Sequence, residues 1–192
     1  MDRTLRARAL FVVVLTMALS TPVVAAQDIP QPTLPPDGEL ARVVDVVDGD
    51  TIRVERSEGS VERVRYIGID TPEIGRDGEP DEPWAREATN MNDALVGDEV
   101  VLLERDVSET DQYDRLLRYV WVEYPTGWRM VNGELAEKGL ADVRAYEPDT
   151  KHHQWLTQLR DEARADGRGM YGDEASDEGD LLDQIVEFFL GS

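Results

Sequence analysis

The chain has 192 residues, 41 acidic against 20 basic, a formal net charge of −21 and no cysteine. It is long enough for one domain with a proper core and too short for two of ordinary size, and the missing cysteines exclude a disulfide framework or a lipid-modified cysteine. Phosphate binding ordinarily uses clustered Lys and Arg, so the charge excludes a basic nucleic-acid cradle unless salt screens the surface, as it does near 1 M where the screening length is about 3 Å.

Residues 1–26 read as a secretory signal. Arg3, Arg6 and Arg8 precede an apolar run over residues 9–19, and the small pair Ala25-Ala26 follows. An uncleaved anchor competes, since Val23-Val24 resume the apolar character. A span needs about 20 mainly apolar residues, and Pro22 interrupts this one. No stable membrane span is therefore expected after cleavage, and the protein is expected outside the cell, at its surface if the segment is retained. Residues 27–38, with Pro30, Pro32, Pro35 and Pro36, read as a linker. High acidity with little lysine suits an extracellular protein of a salt-loving organism.

From residue 39 the pattern is that of a folded domain ending near 172. Residues 41–47 predict a strand, Asp48-Gly49 is a strong hairpin-turn dipeptide, and residues 51–54 continue as the partner strand. Glu58-Gly59 turns the chain into a third strand over 61–69. Residues 74–83, rich in Gly, Pro and Asp, predict a loop, and Trp84, Ala88, Met91 and Leu95 share one face of a helix. Strands over 100–103 and 117–122, a turn over 124–128, a short helix over 131–138 closed by Gly139, and a helix over 151–164 complete the domain. Three strands, a helix, then two strands suggest a mainly β, α+β fold: a five-stranded Greek-key barrel with three helices outside. Residues 173–192 read as an acidic stretch followed by Leu181, Leu182, Ile185, Val186, Phe188, Phe189 and Leu190, an apolar helix face expected to dock on the domain, the alternative being a contact for another chain or a surface.

The chemistry sits at strand ends. One aspartate at a turn is usually structural, but Asp50 and Asp70 lie on adjoining strands, where pairing could bring two carboxylates onto one cation. With only His152 and His153 as imidazoles, the donors suit a hard ion more than zinc. Calcium accepts irregular oxygen sets at about 2.3–2.6 Å. Arg65 leads into Asp70, yet residues five apart on a regular strand face opposite sides. The two can meet only if the chain bends between them, and Gly68 is the place for it. Glu73, beyond Pro72, could orient or deprotonate a water. Hard-cation ligands, a spare carboxylate and a guanidinium are the parts of a phosphodiester hydrolase.

Asp48-Gly49-Asp50-Thr51, Val64-Arg65 to Thr71-Pro72-Glu73, Asp111-Gln112-Tyr113-Asp114-Arg115, and Met130-Val131-Asn132 through Gly139-Leu140-Ala141 occur in one order. Together they make residues 39–172 resemble a staphylococcal-nuclease (thermonuclease) domain, an OB-fold barrel with three helices. The resemblance implies that Asp50, Asp70 and the Thr71 carbonyl hold Ca²⁺ and that Glu73 acts on the attacking water. It further implies that Arg65 and Arg115 bind the phosphate and stabilise its transition state. Tyr113 and Tyr146 are the aromatic groups left for the substrate. The implied activity is a secreted, Ca²⁺-dependent endonuclease that cleaves the 5′ P–O bond of DNA, and of RNA, to leave 3′-phosphate ends. A monomer preferring single strands is expected, because the groove has few stacking residues. The alternatives are a non-catalytic OB module binding nucleic acid or protein, and a domain whose calcium is purely structural. Asp114 replaces the family's usual glycine and Gln112 a basic residue, while the loop before the first helix is acidic where the type member is lysine-rich.

Overall fold

The computed structural model describes residues 30–35 and 37–172. The signal reading and the C-terminal tail reading fall outside those residues.

Three strands open the domain: β1 (Glu39–Asp48), β2 (Thr51–Glu55) and β3 (Val61–Tyr66). Their sequences alternate. In β2 the side chains of Ile52 and Val54 are fully buried while Arg53 and Glu55 face out, the period-2 pattern of a strand with one face in the core. Each buried aliphatic side chain contributes about 1.5–3 kcal/mol. Two further strands, β5 (Val100–Glu104) and β6 (Leu116–Tyr124), follow the short strand β4 (Ile69–Asp70) and helix α1 (Ala85–Val96). The sheet order is β3-β2-β1-β5-β6, and a parallel pairing of β3 with β6 joins its two edges. The barrel is therefore closed and five-stranded. The observed fold is the mainly β barrel with three helices that the element order suggested.

Helix α1 buries Ala88, Met91 and Leu95 along one stripe. Helix α2 (Val131–Glu137) has six consecutive buried residues and packs against both β6 and α3 (His153–Ala165). In α3, Leu156, Leu159 and Ala163 form the buried face.

Three local expectations need correction. The strand expected over 61–69 is broken: Ile67-Gly68 form a turn, with Gly68 at φ +80°, before β4 resumes. The turn expected over 124–128 is tighter, since β7 (Gly127–Met130) already pairs back on β6. A two-residue strand, β8 (Asp142–Val143), pairs with β4 and was not expected, because two residues show no periodicity.

Buried polar groups tie the barrel to the segments around it. Glu104, at the end of β5, accepts from Trp121 Nε1 at 2.8 Å and Lys151 Nζ at 2.5 Å, with His152 Nε2 at 3.1 Å. Burial alone would raise the Glu104 carboxyl, but these hydrogen bonds outweigh it and hold it below its ordinary value. A depressed carboxyl contributes stability above the ordinary range, near pH 4.3, and loses it as pH falls through the lower folded value. Glu104→Gln removes the charge and keeps the shape. The expected loss is about 1–3 kcal/mol at neutral pH, read as a lower melting temperature, and it should shrink in acid as the native carboxyl protonates. Equal melting of the two proteins at pH 7 would show that this network adds nothing to stability.

Candidate active site

Two turns carry the site, and a buried asparagine fastens each. Asn92 of α1 donates from Nδ2 to the Asp48 carbonyl at 2.9 Å and accepts from the Tyr66 hydroxyl at 2.8 Å. That fixes the β1–β2 turn, Gly49-Asp50. Asn132 of α2 donates to the Ile67 carbonyl and accepts from the Val120 N–H, both at 2.9 Å, fixing the β3–β4 turn. Both amides are completely buried, so an unpaired one would be costly. Gly49 is not at positive φ, contrary to what a hairpin dipeptide suggests. Its role is space: a Cβ there would lie 2.7 Å from Thr71 Oγ1 and 2.8 Å from Ala88 Cβ.

The break at Gly68 settles the parity difficulty. With the chain turned there, Arg65 Nη2 donates to Asp70 Oδ1 at 2.7 Å, and Nη1 pairs closely with Asp50 Oδ1. One guanidinium thus lies between both carboxylates. Asp50 is almost fully buried, and its other oxygen accepts the Thr71 N–H at 2.9 Å. Asp50, Asp70 and Thr71 therefore meet at one place, with Asp48 beside them accepting the Asp50 N–H at 3.3 Å. The donor set is entirely oxygen, which suits a hard cation. Among the described residues no three Asp, Glu or His side chains converge on a common point. A cation there would draw on two carboxylates, the carbonyl and water.

Parallel pairing of β3 with β6 places Val64 opposite Leu116, which brings Arg115 to the same end of the barrel as Arg65. Asp111 holds Arg115 with 2.7 and 2.6 Å contacts to Nε and Nη2, and its second oxygen caps the N–H groups of Tyr113 and Arg115. Burial opposes ionisation of Asp111, but the Arg115 hydrogen bonds win and hold its carboxyl below the ordinary range. Arg65, Arg115, Tyr113 and Tyr146 line one cleft of about 350 Å³. Arg115 also lines a second cleft of about 570 Å³ with Asp48, Glu73 and Arg76. The Glu73 backbone N–H donates to Glu82 Oε2 at 2.9 Å. Desolvation, and after it the Asp48 charge, push the Glu73 carboxyl up.

Along the sequence Asp48, Asp111 and Asn132 stand out only as members of motifs, with no role of their own, and Asn92 and Arg144 do not stand out at all. The i, i+4 spacing of Asp111 and Arg115 was a usable signal. Arg144, whose Nε lies 3.7 Å from Asp70 Oδ2, had none. Asp114 sits at φ +59°, the left-handed region that Asp tolerates better than most residues.

Residues 63–173 match the family model for "Staphylococcal nuclease homologue". A thermonuclease of Staphylococcus intermedius is 39% identical over 127 residues, 66% of this chain and 73% of that protein. A thermonuclease of Staphylococcus hyicus is 37% identical over 123 residues, 64% and 70% of the two chains. The SPbeta prophage-derived endonuclease YokF of Bacillus subtilis is 38% identical over 122 residues, 62% of this chain but 40% of its own length.

Proposed function

The chain belongs to the staphylococcal nuclease family, and from that premise we propose that it is an exported, monomeric, calcium-dependent endonuclease. Its substrates are DNA and RNA, preferably single-stranded. The observation that carries the reading is the Arg65 guanidinium between Asp50 and Asp70, with Arg115 at the same end of the barrel.

Asp50, Asp70 and the Thr71 carbonyl would hold Ca²⁺, which would supply positive charge to the phosphoryl group. The other roles belong to the chain. Glu73 takes a proton from the water that attacks phosphorus, a role suited to a carboxyl raised by its surroundings. The new P–O bond forms from that water as the 5′ P–O bond breaks. The departing 5′ oxygen gains a proton, and a 3′-phosphate remains. A guanidinium has five N–H donors. Those that Arg65 and Arg115 spend on carboxylates hold the planar groups, and the rest face the phosphate as charge develops. Tyr113 and Tyr146, both largely exposed, offer ring faces to a base.

Residues 1–26 are the proposed export signal, 27–38 the linker and 39–172 the catalytic domain. No helix among the described residues is long and apolar enough to cross a membrane. The salt-adapted reading rests on the net charge of −21.

One experiment tests these points together: cleavage of plasmid and single-stranded DNA with and without chelator, from low to molar NaCl, alongside thermal melting. Chelation should abolish cleavage. Activity and melting temperature should hold or rise toward molar salt, because salt relieves repulsion among the carboxylates and between them and the substrate. Binding without cleavage at any cation would make the protein an OB-fold binding module. A steep loss of activity with salt, and no gain in melting temperature, would sink the salt-adapted reading.

A further inference from the structure

Arg144 stands at the edge of the site with its charge only loosely committed. The β4–β8 ladder sets Asp70 directly opposite Asp142, and Arg144 follows β8, its backbone N–H donating to the Gly68 carbonyl at 3.0 Å. Its guanidinium lies 3.7 Å from Asp70 Oδ2 and 3.5 Å from Asp142 Oδ2, both longer than hydrogen bonds. Both carboxylates have firmer partners: Asp70 has Arg65 at 2.7 Å, and Asp142 accepts the Val143 N–H at 2.9 Å, with Arg160 as far from it as Arg144 is, at 3.5 Å. Arg65 and Arg115, by contrast, are each gripped by a carboxylate at hydrogen-bonding distance. Arg144 is also the most exposed of the three, its side chain 55% accessible against 12% and 24%.

We infer that Arg144 is a substrate-binding residue, taking the backbone phosphate next to the scissile one on a single nucleic-acid strand. The two oxygens of Asp70 face different guanidiniums, Oδ1 facing Arg65 and Oδ2 facing Arg144, so these groups flank the carboxylate. A strand with its reacting phosphate at Arg65 and Arg115 would present a neighbouring phosphate on the Arg144 flank. Two residues further on, Tyr146 lines the cleft of about 350 Å³ and offers its ring to a base. A planar fork with spare donors matches a phosphate, which it can hold bidentately. On a surface this acidic, one such contact forms a large part of the affinity for the polyanion.

This inference rests on the nuclease reading, and its test separates the two. Wild type, Arg144→Gln and Arg144→Lys are compared in steady-state cleavage of single-stranded DNA across a NaCl series, with thermal melting. The same proteins are compared in binding fluorescent single-stranded DNA by anisotropy, which needs no cleavage. For Arg144→Gln, KM and the dissociation constant should rise about 3–10-fold with kcat within about twofold, the pattern of lost uniform binding. The log–log salt slope of affinity should change by about 0.7, the share of one phosphate on a single strand. Arg144→Lys should restore that slope. If Arg144 only quiets the Asp70–Asp142 repulsion, the glutamine variant will melt lower while KM, affinity and salt slope stay at wild-type values, and the inference is overturned. An inert wild type that still binds DNA through Arg144 would overturn the nuclease reading and leave this one standing.

Discussion

Glu73→Gln should lower turnover by about 10²–10⁴-fold, the usual contribution of a positioned acid or base, with little change in Ca²⁺ affinity. Glu73 lines the cleft with Asp48, Arg76 and Arg115, while Asp50 and Asp70 pair with Arg65. In the proposed mechanism it handles a proton and does not hold the ion. Asp50→Asn is the contrast. Asp50 is nearly inaccessible and contacts Arg65, Thr51 and the Thr71 N–H. Its neutral amide should weaken cation binding and activity together. Calorimetric titration of Ca²⁺ into both variants, beside single-turnover cleavage, checks the distinction. Equal loss of affinity in the two would make Glu73 a ligand and end its assignment as the base.

Arg65→Ala and Arg115→Ala should each cut kcat by about 10²–10³-fold, as expected when a donor to transition-state charge is removed. Their stabilities should differ. Arg65 is largely buried between two carboxylates, and removing it leaves Asp50 and Asp70 facing each other with their shared cation gone. Breaking one partner of a buried pair costs up to about 3–5 kcal/mol, and less here because Asp70 is partly exposed. Arg65→Ala should therefore melt well below wild type in chelator and recover much of the difference in Ca²⁺. Removing Arg115 leaves a single carboxylate, Asp111, that still accepts two backbone N–H groups. Its melting temperature should move little. Near-wild-type turnover in either variant would remove that arginine from the phosphate site.

Much of this was legible along the chain because it is local. The alternation in β2, the α1 stripe Ala88, Met91 and Leu95, and the Gly–Pro–Asp loop after Glu73 each reflect the period of one element, which neighbouring residues set by themselves. The acid and arginine positions were legible as ordered motifs, and Gly68 was legible as the obvious place for the strand to turn Arg65 toward Asp70. The DG turn was legible too, but for the wrong reason. Gly49 is there because Thr71 and Ala88 leave no room for a Cβ, and both come from other parts of the chain.

By itself the sequence determined which groups are available: carboxylates without thiols, arginines set beside them in ordered motifs, and a strongly negative net charge. Only the tertiary structure decided which of these groups meet. The parallel β3–β6 closure brings Arg115 beside Arg65, and the two-residue β4–β8 ladder delivers Arg144 to Asp70. Asn92 and Asn132 lock the turns that hold the aspartates. Those contacts depend on strand register and on closing long loops, whose free energy is shared over the whole core and leaves no periodic trace near the residues concerned.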